Sequence, residues 1–321
     1  MPKIIAECCQ NHNGDRRILQ DMIWSAAEAG ADFAKVQVIY ADDLVYRERF
    51  EEGASENGTM KVIKRPYRPE YERLKQLEIE RSDFQWFVAE CTKAKIKPLT
   101  TVFTRGSVEA LARLGWEDVK VASYDCASYP LLRDLKSRFR YLIVSTGATY
   151  DEEIEKAAQV LAGSSFSFLH CVTIYPTPLN QLHLARLEYL RRFTPSVGFS
   201  DHTLVERDGI KAASVALHLG ADVVERHFTI LPPEQTKDGP VSVNPDQLRT
   251  LCQLAHSAPE ERASYVAEHI GDYREMLGVV RRQLSDAELL NRDYYRGRFA
   301  TRRKDGTVVN NWEDGTLESP Q

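Results

Sequence analysis

The chain has 321 residues, of which 28% are charged and 43% hydrophobic, and a formal net charge of −5 at pH 7. This mildly acidic balance excludes the basic footprint of a nucleic-acid-binding protein, and no apolar run approaches the roughly 20 residues that a membrane span needs. The six cysteines form no CxxC pair and no signal peptide is recognisable, so we expect reduced structural thiols and a cytoplasmic protein.

Short apolar runs rich in β-branched residues predict eight β-strands. They lie at Ile4–Cys9, Phe33–Val38, Lys97–Phe103, Val119–Ser123, Tyr141–Thr146, Phe166–Val172, Ser196–Ser200 and Val223–Phe228. Stretches with helical periodicity separate them, for example Arg17–Ala29, Ser82–Ala94, Ser107–Leu114, Tyr150–Leu161 and Arg207–Leu219. Eight alternating units over about 250 residues predict an α/β fold, a (β/α)8 TIM barrel.

Two segments depart from this alternation. The stretch from Tyr40 to about Glu80 is long and polar, and we expect an extended loop over the barrel mouth, because long loops in compact domains are commonly functional. The residues after Gly278 are charged and contain a possible helix at Ser285–Tyr295. We therefore predict a catalytic barrel over residues 1–278 and a short C-terminal tail over residues 279–321.

Polar side chains recur at the carboxyl ends of the predicted strands, where the strands of a barrel open into one active-site mouth. They are Glu7, Lys35, Gln37, Thr101, Lys120, Ser123, Ser145, Thr146, Thr173, Tyr175, His202 and His227. A buried strand does not end in lysine unless a charge is needed there. The pattern predicts an enzyme active site at this end of the barrel.

His202 and His227 follow two consecutive predicted strands. Neutral imidazole is a common ligand of divalent metals, and both rings would enter the same mouth. Either histidine alone is as easily a strand-end or cap residue, but the pair favours a metal site.

Lys35 and Lys120 would bring two ammonium groups into the mouth, which requires an anion between them or a lowered pKa. Hydroxyl side chains and the glycine of Ser145-Thr146-Gly147 suit a phosphate, or a phosphate with a carboxylate. Glu7 and Asp238 are the carboxylates available for proton transfer or water activation. Asp238 precedes a glycine, however, and could equally be an ordinary turn residue.

A series of short motifs extends in order from about residue 3 to residue 252. They are Ala6-Glu7, 11–15, 35–37, 101–103, 120–123, 145–147, His170-Cys171, Tyr175-Pro176, 198–203, 225–229, and Asp238 with Ser242 and Pro245-Asp246. Each motif alone is weak, but in register they resemble the sialic acid synthase family, the phosphoenolpyruvate-condensing enzymes that make nonulosonic acids.

The resemblance implies a barrel enzyme, usually a homodimer, that condenses phosphoenolpyruvate with the open-chain aldehyde of an aldose and releases phosphate. It implies that His202 and His227 hold Mn²⁺, or Mg²⁺ or Co²⁺ in its place. Phosphoenolpyruvate would be bound by Lys35, Gln37, Thr101, Lys120, Ser123, Ser145, Thr173 and Ser200. The acceptor would be bound by Glu7, Asp125, Tyr175 and Asp238. The catalytic residues would be Glu7, Lys35, Lys120 and Asp238.

Three departures from the family pattern concern the acceptor. Thr173 stands where asparagine is common, and Tyr124-Asp125 where Gly-Glu is common. Typical members also carry a C-terminal antifreeze-like domain that offers an arginine to the acceptor, and residues 279–321 do not form that domain in full. Arg296, Arg298, Arg302 and Arg303 could replace that arginine, but such a basic tail is more often solvated. We therefore expect an acceptor other than N-acetylmannosamine.

Two other functions are possible. A metal-dependent sugar isomerase or hydrolase would need more carboxylate ligands at the strand ends, and it leaves Lys35 and Lys120 unexplained. A catalytically retired sugar-binding barrel predicts the loss of phosphate or metal residues, yet all of them are present.

Overall fold

Eight parallel strands form a closed barrel in the computed structural model, which describes residues 1–315 and 317. The strands are β1 (Lys3–Cys9), β2 (Phe33–Val38), β3 (Lys97–Val102), β4 (Asp118–Val121), β5 (Tyr141–Ser145), β6 (Ser165–Cys171), β7 (Val197–Asp201) and β8 (Val223–His227). Each strand pairs with both neighbours, and β1 closes the barrel against β8. The predicted (β/α)8 barrel is confirmed, and the strand bounds match within two residues.

Helices connect the strands and cover the outside of the barrel. They are α1 (Arg16–Ala29), α2 (Arg49–Glu52), α3 (Tyr67–Leu77), α4 (Arg81–Ala94), α5 (Val108–Ala112), α6 (Tyr129–Lys136), α7 (Asp151–Leu161), α8 (Arg186–Arg191), α9 (Val205–Asp208), α10 (Lys211–His218), α11 (Pro245–His256), α12 (Pro259–His269), α13 (Arg274–Leu277) and α14 (Asp286–Tyr295). Short 3₁₀ turns lie at Ala41–Asp43, Arg105–Ser107, Ser123–Asp125, Leu179–Gln181, Pro233–Gln235 and Gly239–Val241. Within the described residues, no helix is both long and apolar enough to cross a membrane.

The core has two main layers. Between the barrel and its helices, apolar residues of each strand pack against the buried faces of the helices, as Ile4 does with Leu19 and Met22 in one large cluster. Inside the barrel, a smaller cluster closes the lower end of the interior. Its members are Ile5, Phe33, Leu99, Ile143, Leu169 and Val223. Because these side chains fill the barrel below its carboxyl end, the space for a ligand lies at the mouth.

Residues 40–80, which we call the insertion, are not an extended loop, so that prediction was wrong. They form α2, a hairpin of strands Ala54–Glu56 and Thr59–Val62, and α3. The hairpin turns at Asn57-Gly58, where both residues have positive φ angles, as the commonest two-residue hairpin turns require. The polar composition of the insertion reflects exposed faces of regular structure.

The tail packs against the insertion over the barrel mouth. It contains α14 and a short hairpin of strands Thr301–Arg302 and Val308–Val309. Phe299 of the tail pairs with Leu44 of the insertion and joins Leu74 in a third apolar cluster. The insertion and the tail therefore form one cover, which we call the lid.

One predicted helix is interrupted. The stretch 207–219 is split between α9 and α10 at Gly209, whose φ angle is +55°. Its carbonyl oxygen accepts a hydrogen bond of 3.2 Å from the guanidinium of Arg226 on β8. The break thus supplies an acceptor to a fully buried arginine.

Candidate active site

A cavity of about 170 Å³ lies at the carboxyl ends of the barrel strands, under the lid. The parallel register explains its lining, because it sets Glu7 level with both Lys35 and His227 and sets Thr101 beside Lys120. The predicted residues that line it are Glu7, Lys35, Gln37, Thr101, Lys120, Ser123, Asp125, Ser145, Tyr175, Ser200, His202 and His227. The structure therefore gathers side chains from all eight strands and their loops in one place.

Three predicted residues, Thr146, Thr173 and Asp238, are not part of the cavity wall. Thr173 is buried against Gly147, so that a Cβ atom on the glycine would come within 2.7 Å of the threonine methyl group. Asp238 lies in the loop after β8, where its Oδ2 accepts a hydrogen bond from the thiol of Cys9 at 3.0 Å. Thr173 and Asp238 are nevertheless neighbours of the cavity, because Thr173 lies between the lining residues Cys171 and Tyr175 and the ligand atoms of Asp238 and His227 lie within 4.8 Å of each other.

Glu225 joins the two lysines at the floor of the cavity. One of its carboxylate oxygens lies 2.8 Å from Nζ of Lys35, and the other lies 3.6 Å from Nζ of Lys120. Ser200 donates to the same carboxylate at 2.8 Å. Lys35 also pairs with Glu7, and Lys120 donates to Ser145 at 2.5 Å. The two ammonium groups are thus held by carboxylates and hydroxyls of the protein itself.

Glu225 was not among the site residues predicted from the sequence. A signal was present, because Glu225 precedes His227 by two positions on the same strand. Side chains at positions i and i+2 of a strand point to the same face. A histidine predicted to face the mouth therefore implied a glutamate facing the barrel interior just below it.

Burial and charge act in opposite directions on these groups. Burial alone would lower the pKa of Lys35, but the carboxylates of Glu225 and Glu7 outweigh it and hold that pKa above its usual value. Burial would raise the pKa of Glu225, but the two lysines hold it well below its usual range. For Lys120, burial prevails and lowers the pKa, with Lys35 adding to the effect. Lys120 is therefore the cation of this group that gives up its proton more readily.

Several side chains here could hold a metal ion. The rings of His202 and His227 have centroids 5.2 Å apart. Ligand atoms of Cys9, His227 and Asp238 lie within 4.8 Å of one another, and Nδ1 of His227 is buried without a hydrogen-bond partner among the described residues. Burial and the neighbouring His227 hold the pKa of His202 well below its usual value, which favours the neutral imidazole that a metal requires. The donor set fits a divalent metal, and it includes Cys9, which was predicted to be only a structural thiol.

The lid completes the cavity wall on the side away from the lysines. Tyr295 stacks on Tyr124 with ring centroids 4.7 Å apart. Arg298 pairs with Glu70 of the insertion, and its guanidinium lies 4.6 Å from the ring of Phe299. Only 11% of the Arg298 side chain is exposed. The expectation of a solvated basic tail was therefore wrong for Arg298, because the aromatic residues around it anchor this part of the tail in the mouth.

Asp125 lies at the junction of the barrel and the tail. Asn311 donates to its carboxylate at 3.0 Å, and Ser128 donates at 2.8 Å. Burial nevertheless raises the pKa of Asp125 to about 6, because these two hydrogen bonds offset only part of the lost hydration. This carboxyl group therefore titrates close to neutral pH.

Comparison with known proteins connects this geometry to a family. The sequence profile described as the NeuB family matches residues 22–265. Two N,N'-diacetyllegionaminic acid synthases are similar to the chain. The one from Legionella pneumophila is 30% identical over 92% of this chain and 81% of its own length, and the one from Campylobacter jejuni is 29% identical over 88% and 83%. The solved N-acetylneuraminic acid (sialic acid) synthetase of Leptospira borgpetersenii superposes with a TM-score of 0.68 at 27% identity, covering 92% of this chain and 91% of that one.

Proposed function

Because the chain belongs to the NeuB family, we propose that it is a synthase that joins phosphoenolpyruvate to the open-chain form of an aldose and releases phosphate. Family membership confirms the resemblance seen in the sequence motifs. The relatives are named as synthases of nonulosonic acids, which supports carbon–carbon bond formation as the reaction class.

The observation that carries the proposal is the pair of buried lysines at the cavity floor. Phosphoenolpyruvate brings a phosphate and a carboxylate, and Lys35 and Lys120 offer one cation to each group or both to the phosphate. The further donors in this role are Gln37, Thr101, Ser123, Ser145, Thr173 and Ser200. Glu225 keeps the two ammonium groups in place before the anion arrives, since unpaired charges would be costly at this depth.

The acceptor aldose would lie above phosphoenolpyruvate, towards the lid. Glu7, Asp125, Tyr175 and Asp238 are the proposed acceptor contacts from the barrel. The stacked pair Tyr124–Tyr295 narrows this side of the cavity, which supports an acceptor different from N-acetylmannosamine. Arg298 adds a cation that could meet a polar or anionic group of the sugar.

The reaction needs one carbon–carbon bond formed and one phosphate released. The methylene carbon of phosphoenolpyruvate attacks the aldehyde carbon, and the aldehyde oxygen takes up a proton. Water then adds to C2, and loss of phosphate leaves the 2-keto acid. A divalent metal held by His202 and His227, Mn²⁺ or a similar ion, would supply a Lewis acid for the aldehyde oxygen. Lys35 and Lys120 bind the phosphate as it leaves, and Glu7 with Asp238 positions the water and the acceptor hydroxyls.

Phosphate release tests this proposal directly. Purified protein, phosphoenolpyruvate and Mn²⁺ are combined with a panel of aldoses, from pentoses to N-acylated and phosphorylated hexoses, with an EDTA control. We expect release that requires both the metal and one class of sugar. Bound phosphoenolpyruvate with no release for any sugar or metal would contradict the proposal.

Matched histidine variants test the metal assignment. We expect His202→Ala and His227→Ala to lose at least about 100-fold in turnover, because each removes a ligand of the ion. His269→Ala, on the exposed end of α12, serves as the control and should retain full activity. Full activity in both site variants would refute the metal assignment. Size-exclusion chromatography with light scattering tests the homodimer that we also propose.

A further inference from the structure

We propose that the thiolate of Cys9 is a metal ligand, which together with His227 and Asp238 makes this a centre for Fe²⁺, Co²⁺ or Zn²⁺ in preference to Mg²⁺. The inference deepens the metal assignment of the proposed function. It stands on its own geometry, however, because binding of the metal can be measured without either substrate.

The three side chains already have the spacing of a metal centre. Sγ of Cys9 lies 3.0 Å from Oδ2 of Asp238, and all three ligand atoms lie within 4.8 Å of one another. In a tetrahedral centre with metal–ligand distances near 2.0–2.3 Å, neighbouring ligand atoms are about 3.5 Å apart. Small side-chain rotations therefore suffice to enclose an ion.

The backbone at Cys9 is strained in a way that a structural thiol does not explain. Its φ angle is +46°, and the pairing of β1 with β2 shifts register between Glu7 and Cys9. The amide of Cys9 donates to Glu7 at 2.7 Å, which fixes this bulge. Glycine adopts a positive φ angle without cost, whereas cysteine does not. Together with the nearby His227 and Asp238, this unusual backbone conformation supports a role for the Cys9 side chain.

The side chains of His227 and Asp238 are both positioned to bind a metal ion together with Cys9. Nδ1 of His227 is buried and lacks a partner within the described part of the chain, which is costly for a polar atom unless a ligand satisfies it. The Asp238 loop is held by Ser242, whose hydroxyl donates to the Asp238 carbonyl at 2.6 Å. Asn11 donates to the same serine at 2.9 Å. The carboxylate is thus presented beside Cys9 by a braced loop.

The ligand types decide the metal class. Thiolate and imidazole are soft or borderline donors that suit Fe²⁺, Co²⁺ and Zn²⁺, whereas Mg²⁺ binds oxygen ligands and retains its waters. One thiolate, one imidazole and one carboxylate therefore discriminate against Mg²⁺. His202, whose ring lies 5.2 Å from that of His227, is the next imidazole beside this group but is not one of its three closely spaced ligands.

Cobalt absorption tests the thiolate ligand. The metal-free full-length protein is titrated with Co²⁺, and we expect one equivalent to produce a thiolate-to-cobalt charge-transfer band in the near ultraviolet. Cys9→Ser and Cys9→Gly should both abolish this band and weaken Co²⁺ binding by more than about 100-fold, a larger loss than removal of a residue that only orients a ligand. Cys252→Ser, in α11 outside the mouth, should retain the band.

The Cys9→Gly variant distinguishes loss of the metal ligand from loss of the folded structure. Glycine suits the positive φ angle, so Cys9→Gly should unfold at the same temperature as the parent, or higher, when both lack metal. It should also lose the stabilisation that Co²⁺ gives the parent. Any one of three results would overturn the proposal. They are Co²⁺ binding to the parent without the charge-transfer band, a band that persists in Cys9→Gly, and no Co²⁺ binding to the parent. Phosphate release from phosphoenolpyruvate is assayed separately, so that a failure of the thiolate assignment is distinguishable from a failure of the proposed reaction.

Discussion

The carboxylate of Glu225 balances the charge of the two ammonium groups at the cavity floor. It is buried, and it lies within ion-pair distance of both Lys35 and Lys120. Lys120 has no closer carboxylate among the described residues, so loss of Glu225 would leave this ammonium group buried with only Ser145 and a backbone carbonyl as partners. Breaking a buried ion pair from one side costs more than the pair itself contributes.

We therefore predict that Glu225→Gln lowers the free energy of unfolding by about 3 kcal/mol in phosphate-free buffer. Inorganic phosphate should stabilise this variant more than the parent, because the anion takes the place of the missing carboxylate. Urea denaturation with and without phosphate measures both effects. Glu117→Gln, an exposed surface variant, should stay within about 0.5 kcal/mol of the parent. An unchanged stability for Glu225→Gln would contradict this account of the floor.

Asp125 gives a prediction for pH dependence. Its pKa is about 6 in the folded protein and 3.8 in the reference state, so the folded protein binds the proton more tightly. The stability from this group is fully present below about pH 4 and is lost as the pH rises through 6. We expect the free energy of unfolding of Asp125→Asn to rise by about 2 kcal/mol relative to that of the parent between pH 4.5 and pH 7. Urea denaturation at both pH values measures this difference, with the exposed Asp21→Asn as control. An equal difference at both pH values would refute the assignment.

Asn311 is the buried side chain at the centre of the contacts between the tail and the barrel, which also include Gly106 with Thr301 and Arg105 with Glu313. Its amide donates to the Phe103 carbonyl at 2.7 Å and to Asp125 at 3.0 Å, and its oxygen accepts from the amide of Arg105 at 3.2 Å. An element held by a few polar contacts, most of them near the surface, can detach while the barrel remains folded.

Asn311→Ala should therefore expose the segment around residues 300–315 to limited proteolysis while the barrel resists digestion. The substitution leaves three polar groups without their partner, and each one that stays buried lowers the free energy of unfolding by about 1–3 kcal/mol. Mass spectrometry of the fragments locates the cleavage. Thr307→Ala, in the exposed turn of the same hairpin, is the control. Uniform digestion of the whole chain would mean that the tail and barrel unfold as one unit.

The regular elements could be predicted well because each barrel strand is a short apolar run between turn signals. The same reasoning failed for the insertion, where polar faces hid α3 and only the Asn57-Gly58 pair signalled the hairpin. Residues at strand ends were predictable because the barrel brings strand ends together. Arg298 was not, because its burial depends on the distant Glu70 and Phe299. Such contacts leave no periodic trace in a single sequence.

At the scale of the molecule, the tail of each chain covers the mouth of that chain's own barrel. Arg298 and Tyr295 line the cavity of the barrel to which they are covalently joined. We therefore predict that the sites of an assembly of several subunits are independent of one another.

Co-production of two inactive variants tests this independence. Lys35→Met removes a cation from the cavity floor. Arg298→Glu places a second carboxylate beside Glu70 in the lid, where the two negative charges repel each other. We expect hetero-oligomers of the two to remain inactive, because neither chain contains a complete site. Recovery of a substantial fraction of parental activity would show instead that the tail serves the neighbouring subunit. Arg303→Glu, in the exposed part of the tail, is the charge-matched control.

The pairing of β1 with β8 also has a consequence for how the protein is made. Lys3 lies opposite Val223, so the barrel cannot close until the ribosome has synthesised some 220 residues beyond β1. At about 5–20 residues per second, that interval is about 10–40 s. During this time one edge of an apolar strand, containing Ile4 and Ile5, has no native partner and can pair with other nascent chains. The yield of folded protein in a cell should therefore depend on chaperones that shield this edge during translation.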